Sequence, residues 1–82
     1  MANDDAVKLV IRVLSQVIAD KGQEVPPMTE GTVVLGGDLP VDSLDLAVSI
    51  VQLQNQTGRD PFREGFINFR TVGELAALYD AA

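Results

Sequence analysis

The stretch LGGDLPVDSLDLAVSIVQLQNQT, residues 35–57, decides how this chain is read. Gly36-Gly37 and Pro40 interrupt regular structure, and Asp42-Ser43-Leu44-Asp45 then opens a helix. Asp42 is the expected N-cap, and Asp45, three residues on, resembles a capping box built with a shorter acid. The helix is expected to run to about Thr57, where Gly58-Arg59-Asp60-Pro61 ends it. At about 100° per residue, Leu46, Ile50, Leu53 and Thr57 share one face, and Leu44, Ala47, Val48 and Val51 share nearly the opposite one. Only one of these faces can dominate a small core, so the second is expected to stay partly exposed as a partner surface.

Working upstream, residues 22–41 hold four Gly and three Pro, which fits neither a long helix nor a strand. Thr32-Val33-Val34-Leu35 could be a short strand, but no convincing partner run is visible. A loop of roughly twenty residues is uncommon in a compact domain and is often functional. Its acids Glu24, Glu30 and Asp38 have no cation among them. Before the loop, Asn3 caps a first helix over about 4–20, with Asp4 and Asp5 in its first turn. Val7, Val10, Ile11, Leu14, Val17 and Ile18 form its apolar stripe, and Lys21-Gly22 supplies a cation and a stop.

Downstream, Phe62, Phe66, Ile67 and Phe69 suggest a short, irregular third helix or turn in which the aromatic rings serve the core. The alternative is that Phe66 or Phe69 helps to close a groove. A last helix follows: Thr71 caps it, Glu74 completes a Thr-x-x-Glu box, and Val72, Leu75, Ala76, Leu78 and Tyr79 provide the buried stripe. The expected fold is all-α, a small antiparallel four-helix bundle of three main helices plus a short third one.

Composition narrows the function. Eighty-two residues allow one domain, and 46% hydrophobic against 22% charged residues is the balance of a folding chain. Six basic against twelve acidic residues give a net charge of −6, which argues against nucleic acid and anionic membrane surfaces as partners. There is no Cys for a disulfide, a thiolate metal site or a nucleophile, and no His to serve as general base or metal ligand. An enzyme is therefore not expected. Asp38, Asp42 and Asp45 lack the spacing of a calcium loop, so no metal site is expected, and Gly36-Gly37 lacks that of a nucleotide loop. The N-terminal MANDDAVK carries acids where a signal peptide carries bases, and no apolar run approaches the ~20 residues of a membrane span. A cytoplasmic monomer is expected.

One side chain stands apart. Ser43, at the first position of its helix, points its hydroxyl outward beside unsatisfied backbone N–H groups and the positive end of the dipole. The plain reading makes it a helix-start residue without a task. The functional reading makes it a phosphoryl acceptor, with Asp42 and Asp45 opposing the added negative charge. No His or Lys lies near it in sequence to take its proton, so another protein would have to activate it.

LGGDLPVDSLD at 35–45 resembles the attachment site of acyl carrier proteins and of the related peptidyl carrier domains of peptide synthetases. Phe69-Arg70-Thr71-Val72-Gly73-Glu74-Leu75 resembles the start of that family's last helix at a compatible spacing, so the likeness spans essentially residues 1–82 as one carrier domain. It implies that Ser43, flanked by Asp42 and Leu44, receives 4′-phosphopantetheine from coenzyme A. It implies, too, that acyl or aminoacyl groups ride on the arm as thioesters, in fatty acid, polyketide or nonribosomal peptide biosynthesis. The implied partners are a phosphopantetheinyl transferase, an acyl or aminoacyl ligase or transferase, and downstream pathway enzymes.

Two departures from the family pattern bear on partners. Pro40 and Val41 replace a small Gly-Ala or Gly-Val pair and stiffen the approach to the Ser. Val48, Gln54 and Asn55 stand where fatty-acid carriers present acids, which points to a specialised or ligase-loaded pathway. Docking is then expected mainly through Leu44, Ala47, Val48 and Val51, with Glu30, Asp38 and Asp45 adding long-range attraction. The alternative is a helical adaptor that binds a partner through the same face and is never modified.

Overall fold

Three helices make up the computed structural model, which describes residues 4–37, 39–63, 65 and 67–79: α1 (Asp4–Asp20), α2 (Ser43–Thr57) and α3 (Val72–Leu78). Asn3, Asp38 and Phe66, singled out above as cap, acid and groove residue, lie outside the described residues. The two long helices begin and end where the sequence signals put them. At the end of α1, Gly22 takes a left-handed φ of 78°. Its N–H donates to the Ala19 carbonyl and that of Gln23 to Ile18, which closes a Schellman motif. At the end of α2, Gly58 (φ 73°) donates to Gln54.

α1 is the central element: α2 and α3 both pack on it and not on each other. That arrangement widens its buried arc, so Val13 joins Val7, Val10, Leu14, Val17 and Ile18 inside, while Ile11 is only half-buried at the other flank. From α2 come Leu46 and Leu53, and Ser49 is also fully buried, its hydroxyl satisfied by the Asp45 carbonyl at 2.9 Å. Val72, Leu75, Ala76 and Tyr79 complete the core from α3. The long loop contributes as much as a helix would, through Val34, Leu39 and Val41. A radius of gyration of 11.6 Å matches the ~12 Å of a compact chain of this length.

The Thr32–Leu35 segment does have a partner, which the sequence reading missed. Val33 forms an isolated antiparallel bridge with Thr71, with Val34 N–H donating to Arg70 and Val72 N–H donating to Thr32. One residue further, Gly73 N–H donates to the Glu30 carbonyl at 2.8 Å. A single bridge leaves no periodic pattern on either side, which is why it was not visible as a strand.

Of the two forms expected for the stretch between α2 and α3, a short irregular helix or a turn, the turn is the one observed. Among the described residues it is a pair of successive turns, Arg63 N–H to Asp60 and Gly65 N–H to Phe62. Pro61 and Gly65 lie too close together for a regular helix to form between them. Phe62 and Phe69 pack edge to face, 6.1 Å between ring centroids and 61° between planes, and both lie against the core.

Candidate functional site

The first turn of α2 gathers the residues that the sequence singles out. Asp42 is extended (φ −104°, ψ −176°), and its Oδ1 accepts the Asp45 N–H at 2.9 Å. Asp45 Oδ2 accepts the Asp42 N–H at 3.1 Å, so the capping box closes in both directions with the shorter acid. Ser43 is thereby fixed at the first helical position, and its side chain is exposed. Among the described residues its N–H and that of Leu44 have no partner, and both residues are exposed at the positive end of the helix.

Lys21 completes this turn from far away in sequence. Its Nζ donates to Asp45 Oδ2 at 2.6 Å and to the Pro40 carbonyl at 2.7 Å. The Asp45 side chain is only 14% exposed and that of Lys21 33%, so the pair is partly shielded from water. The Lys21 hydrogen bond, with help from the Asp42 N–H, holds the Asp45 carboxyl below its ordinary value. One of the two acids expected to oppose a phosphate at Ser43 is therefore compensated. The sequence marked Lys21 only as a helix-end cation; its partner lies 24 residues on, and no local pattern shows such a pairing.

The second face of α2 is bare. Leu44 is 72% exposed, Val48 45% and Val51 55%, and Ala47 is exposed beside them. The 22–41 loop turns Val34, Leu39 and Val41 to the core, while Val25 and Leu35 are themselves exposed. Glu30 is exposed as well, though its carbonyl is engaged by Gly73. A cleft of about 580 Å³ runs along the loop, with Pro26, Val33, Leu39 and Arg70 in its wall. Neither Ser43 nor the bare face of α2 contributes to it.

Among the described residues, the polar side chains of this turn are carboxylates engaged in capping and a Lys paired with one of them. The turn places an exposed Ser43 beside the exposed apolar side chains Leu44, Ala47, Val48 and Val51. No protein-family model matches the chain, and neither a curated protein nor a solved structure matches it.

Proposed function

We propose that the protein is a carrier of the acyl or peptidyl carrier type, modified with 4′-phosphopantetheine on Ser43. The observation that carries this reading is the exposed Ser43 hydroxyl, held at the first position of α2 by a closed Asp42–Asp45 box within the LGGDLPVDSLD motif. Three helices with a pair of turns between α2 and α3, where the family has its short third helix, support the reading. In the modification, Ser43 Oγ attacks the phosphorus next to pantetheine in coenzyme A. A new O–P bond forms, the pyrophosphate bond breaks, and adenosine 3′,5′-bisphosphate leaves. The Ser proton goes to a base of the transferase, because this chain supplies none. When bound, the group supplies the thiol that a chain without Cys lacks, and acyl or aminoacyl cargo is held there as a thioester.

The chain's own part is presentation. Asp42 and Asp45 keep the acceptor turn in register, and the N–H groups of Ser43 and Leu44 favour a phosphate on that hydroxyl. Leu44, Ala47, Val48 and Val51 provide an apolar docking surface for the transferase and the loading enzyme, which fits a specialised or ligase-loaded pathway.

The test is intact-mass spectrometry after incubation with coenzyme A and a broad-specificity phosphopantetheinyl transferase. Wild type is expected to gain one phosphopantetheine and Ser43→Ala none; equal modification of the two would remove the site. The bare α2 face also favours a second reading, an unmodified helical adaptor, for which no mass change occurs in either protein.

A further inference from the structure

We propose that Lys21 is a positioning residue for modification of Ser43: its ammonium joins the Pro40 carbonyl to the Asp45 carboxylate, fixing the approach to α2 and cancelling the acid charge beside the acceptor hydroxyl. The inference rests on the carrier reading above and adds to it a residue outside the attachment motif.

The geometry is specific. Lys21 sits inside the Schellman turn that ends α1, where its own N–H donates to Ile18 and Gly22 follows in the left-handed region, so the root of the side chain is held. Its two hydrogen bonds reach both sides of Val41: the Pro40 carbonyl before it, and the Asp45 oxygen that also accepts the Asp42 N–H after it. Val41 itself is buried in the core. The segment from residue 40 to residue 42 is thus tied on both flanks and anchored between them, immediately before Ser43.

Charge makes the same point. The group to be transferred arrives as an anion, and Asp45 lies two residues from the acceptor. Without Lys21 that carboxylate would stand uncompensated beside the acceptor hydroxyl. Among the described residues no second cation is paired with an acid of this turn. The adjacent Asp20 does not compete for Lys21, since it accepts from Gln16 Nε2 at 2.9 Å. Isolated surface ion pairs contribute little to stability; what sets this one apart is that its carboxylate oxygen also accepts the Asp42 N–H of the cap.

The experiment follows transfer of phosphopantetheine from coenzyme A by intact mass, at a series of carrier concentrations, for wild type, Lys21→Met, Lys21→Arg, Asp45→Asn and Lys21→Met/Asp45→Asn. Lys21→Met is expected to lose about tenfold in kcat, with the KM for carrier changed by no more than about twofold. Lys21→Arg should keep most of the rate. The double variant should fall much less below Asp45→Asn than Lys21→Met falls below wild type, because the charge acts through that carboxylate and only the Pro40 tie remains to be lost. Independently of modification, the Asp45 carboxyl, followed by NMR, should titrate closer to the ordinary aspartate range in Lys21→Met. A wild-type kcat in Lys21→Met overturns the proposal. So does a double variant about tenfold slower than Asp45→Asn, a comparison that holds even where Lys21→Met alone folds poorly. If wild type itself takes up no phosphopantetheine, the carrier reading falls and this inference with it. Modification of wild type with an indifferent Lys21 removes the inference alone.

Discussion

The first turns of α2 and α3 are written in nearly the same code, a capping residue followed three positions later by an acid, and they end in opposite states. In α2 the side chains of Asp42 and Asp45 satisfy each other's backbone, while Ser43 and Leu44 face solvent. In α3 the Thr71 hydroxyl takes the Glu74 N–H at 3.2 Å, and the Thr71 carbonyl takes that of Leu75. The remaining donors, Val72 and Gly73, go to the Thr32 and Glu30 carbonyls of the long loop. One helix end is a seam, closed on all its donors. The other is open. A helix of 7 residues is too short to persist alone, so α3 needs that seam, whereas the 15 residues of α2 can tolerate an open end. The cap sets where a helix begins; what lies beyond the cap decides whether that end holds the fold together or is left for chemistry.

The seam can be broken at Gly73. A Cβ there would stand 3.1 Å from the Glu30 carbonyl oxygen and 3.2 Å from the Glu30 Cβ. Gly73→Val is expected to cost about 1–3 kcal/mol by overpacking, read as a lower urea midpoint, with Ser43 still modified in the folded fraction. An unchanged midpoint would mean that the loop does not hold α3.

The open end should be less sensitive. Asp42→Ala is expected to cost ~1 kcal/mol as a lost cap, and Ser43→Ala within about 0.5 kcal/mol as an exposed substitution. Denaturant melts of the two unmodified variants compare them. A midpoint for Asp42→Ala no lower than that for Ser43→Ala would take the capping role away from Asp42.

The two regions should also titrate at opposite ends of the pH scale. Asp45 has a folded pKa below its ordinary 3.8. Its stabilisation is therefore complete above that value and is lost as pH falls through the folded one. Lys21→Met should flatten this acid limb of the melting curve. Tyr79, at the end of α3, is buried with no hydrogen-bond partner for its hydroxyl among the described residues. Burial first, and the Asp60 charge second, push its pKa up from 10.0 to about 12. Its stabilisation is complete below pH 10.0 and is lost as pH rises toward about 12. Tyr79→Phe should remove that alkaline contribution without lowering stability at pH 7, because it deletes an unsatisfied polar atom. A marked loss of stability at neutral pH would show that the hydroxyl has a partner.

The smallest effect on the fold is expected on the bare face. Val48→Glu or Val51→Glu should shift stability within about 0.5 kcal/mol, yet raise the KM for carrier in the transferase assay through a desolvated charge. Added salt should mostly slow association. If salt abolishes modification while both variants behave as wild type, recognition is electrostatic and the apolar face is not the docking surface.

Local signals were legible where physics is local. The bounds of α1 and α2, the cap of α3 and the exposed position of Ser43 follow from caps, left-handed glycines and helical periodicity, all of which act within a few residues. Of the α3 stripe, Val72, Leu75, Ala76 and Tyr79 are buried as expected for the same reason, while Leu78 is only half-buried. The buried Ser49 was missed because a hydroxyl breaks the apolar pattern, although its bond to the Asp45 carbonyl lets it pass as a core residue. Val13 was missed because the width of a buried arc depends on how many neighbours a helix has, and α1 has two.

By itself, then, the sequence determined the helical segments, the absence of Cys and His, the acidic balance and the single outward Ser at a helix start. Each of these is written in composition or in neighbours three or four residues apart. Only the tertiary structure decided that the glycine- and proline-rich loop is a core element, that residues 30–34 close the start of α3, and that Lys21 reaches the first turn of α2. Those three rest on single hydrogen bonds and single side chains meeting across 19 to 43 positions of chain, such as Lys21 with Pro40 and Glu30 with Gly73. A contact of that kind repeats nothing along the sequence and becomes visible only once the chain has packed.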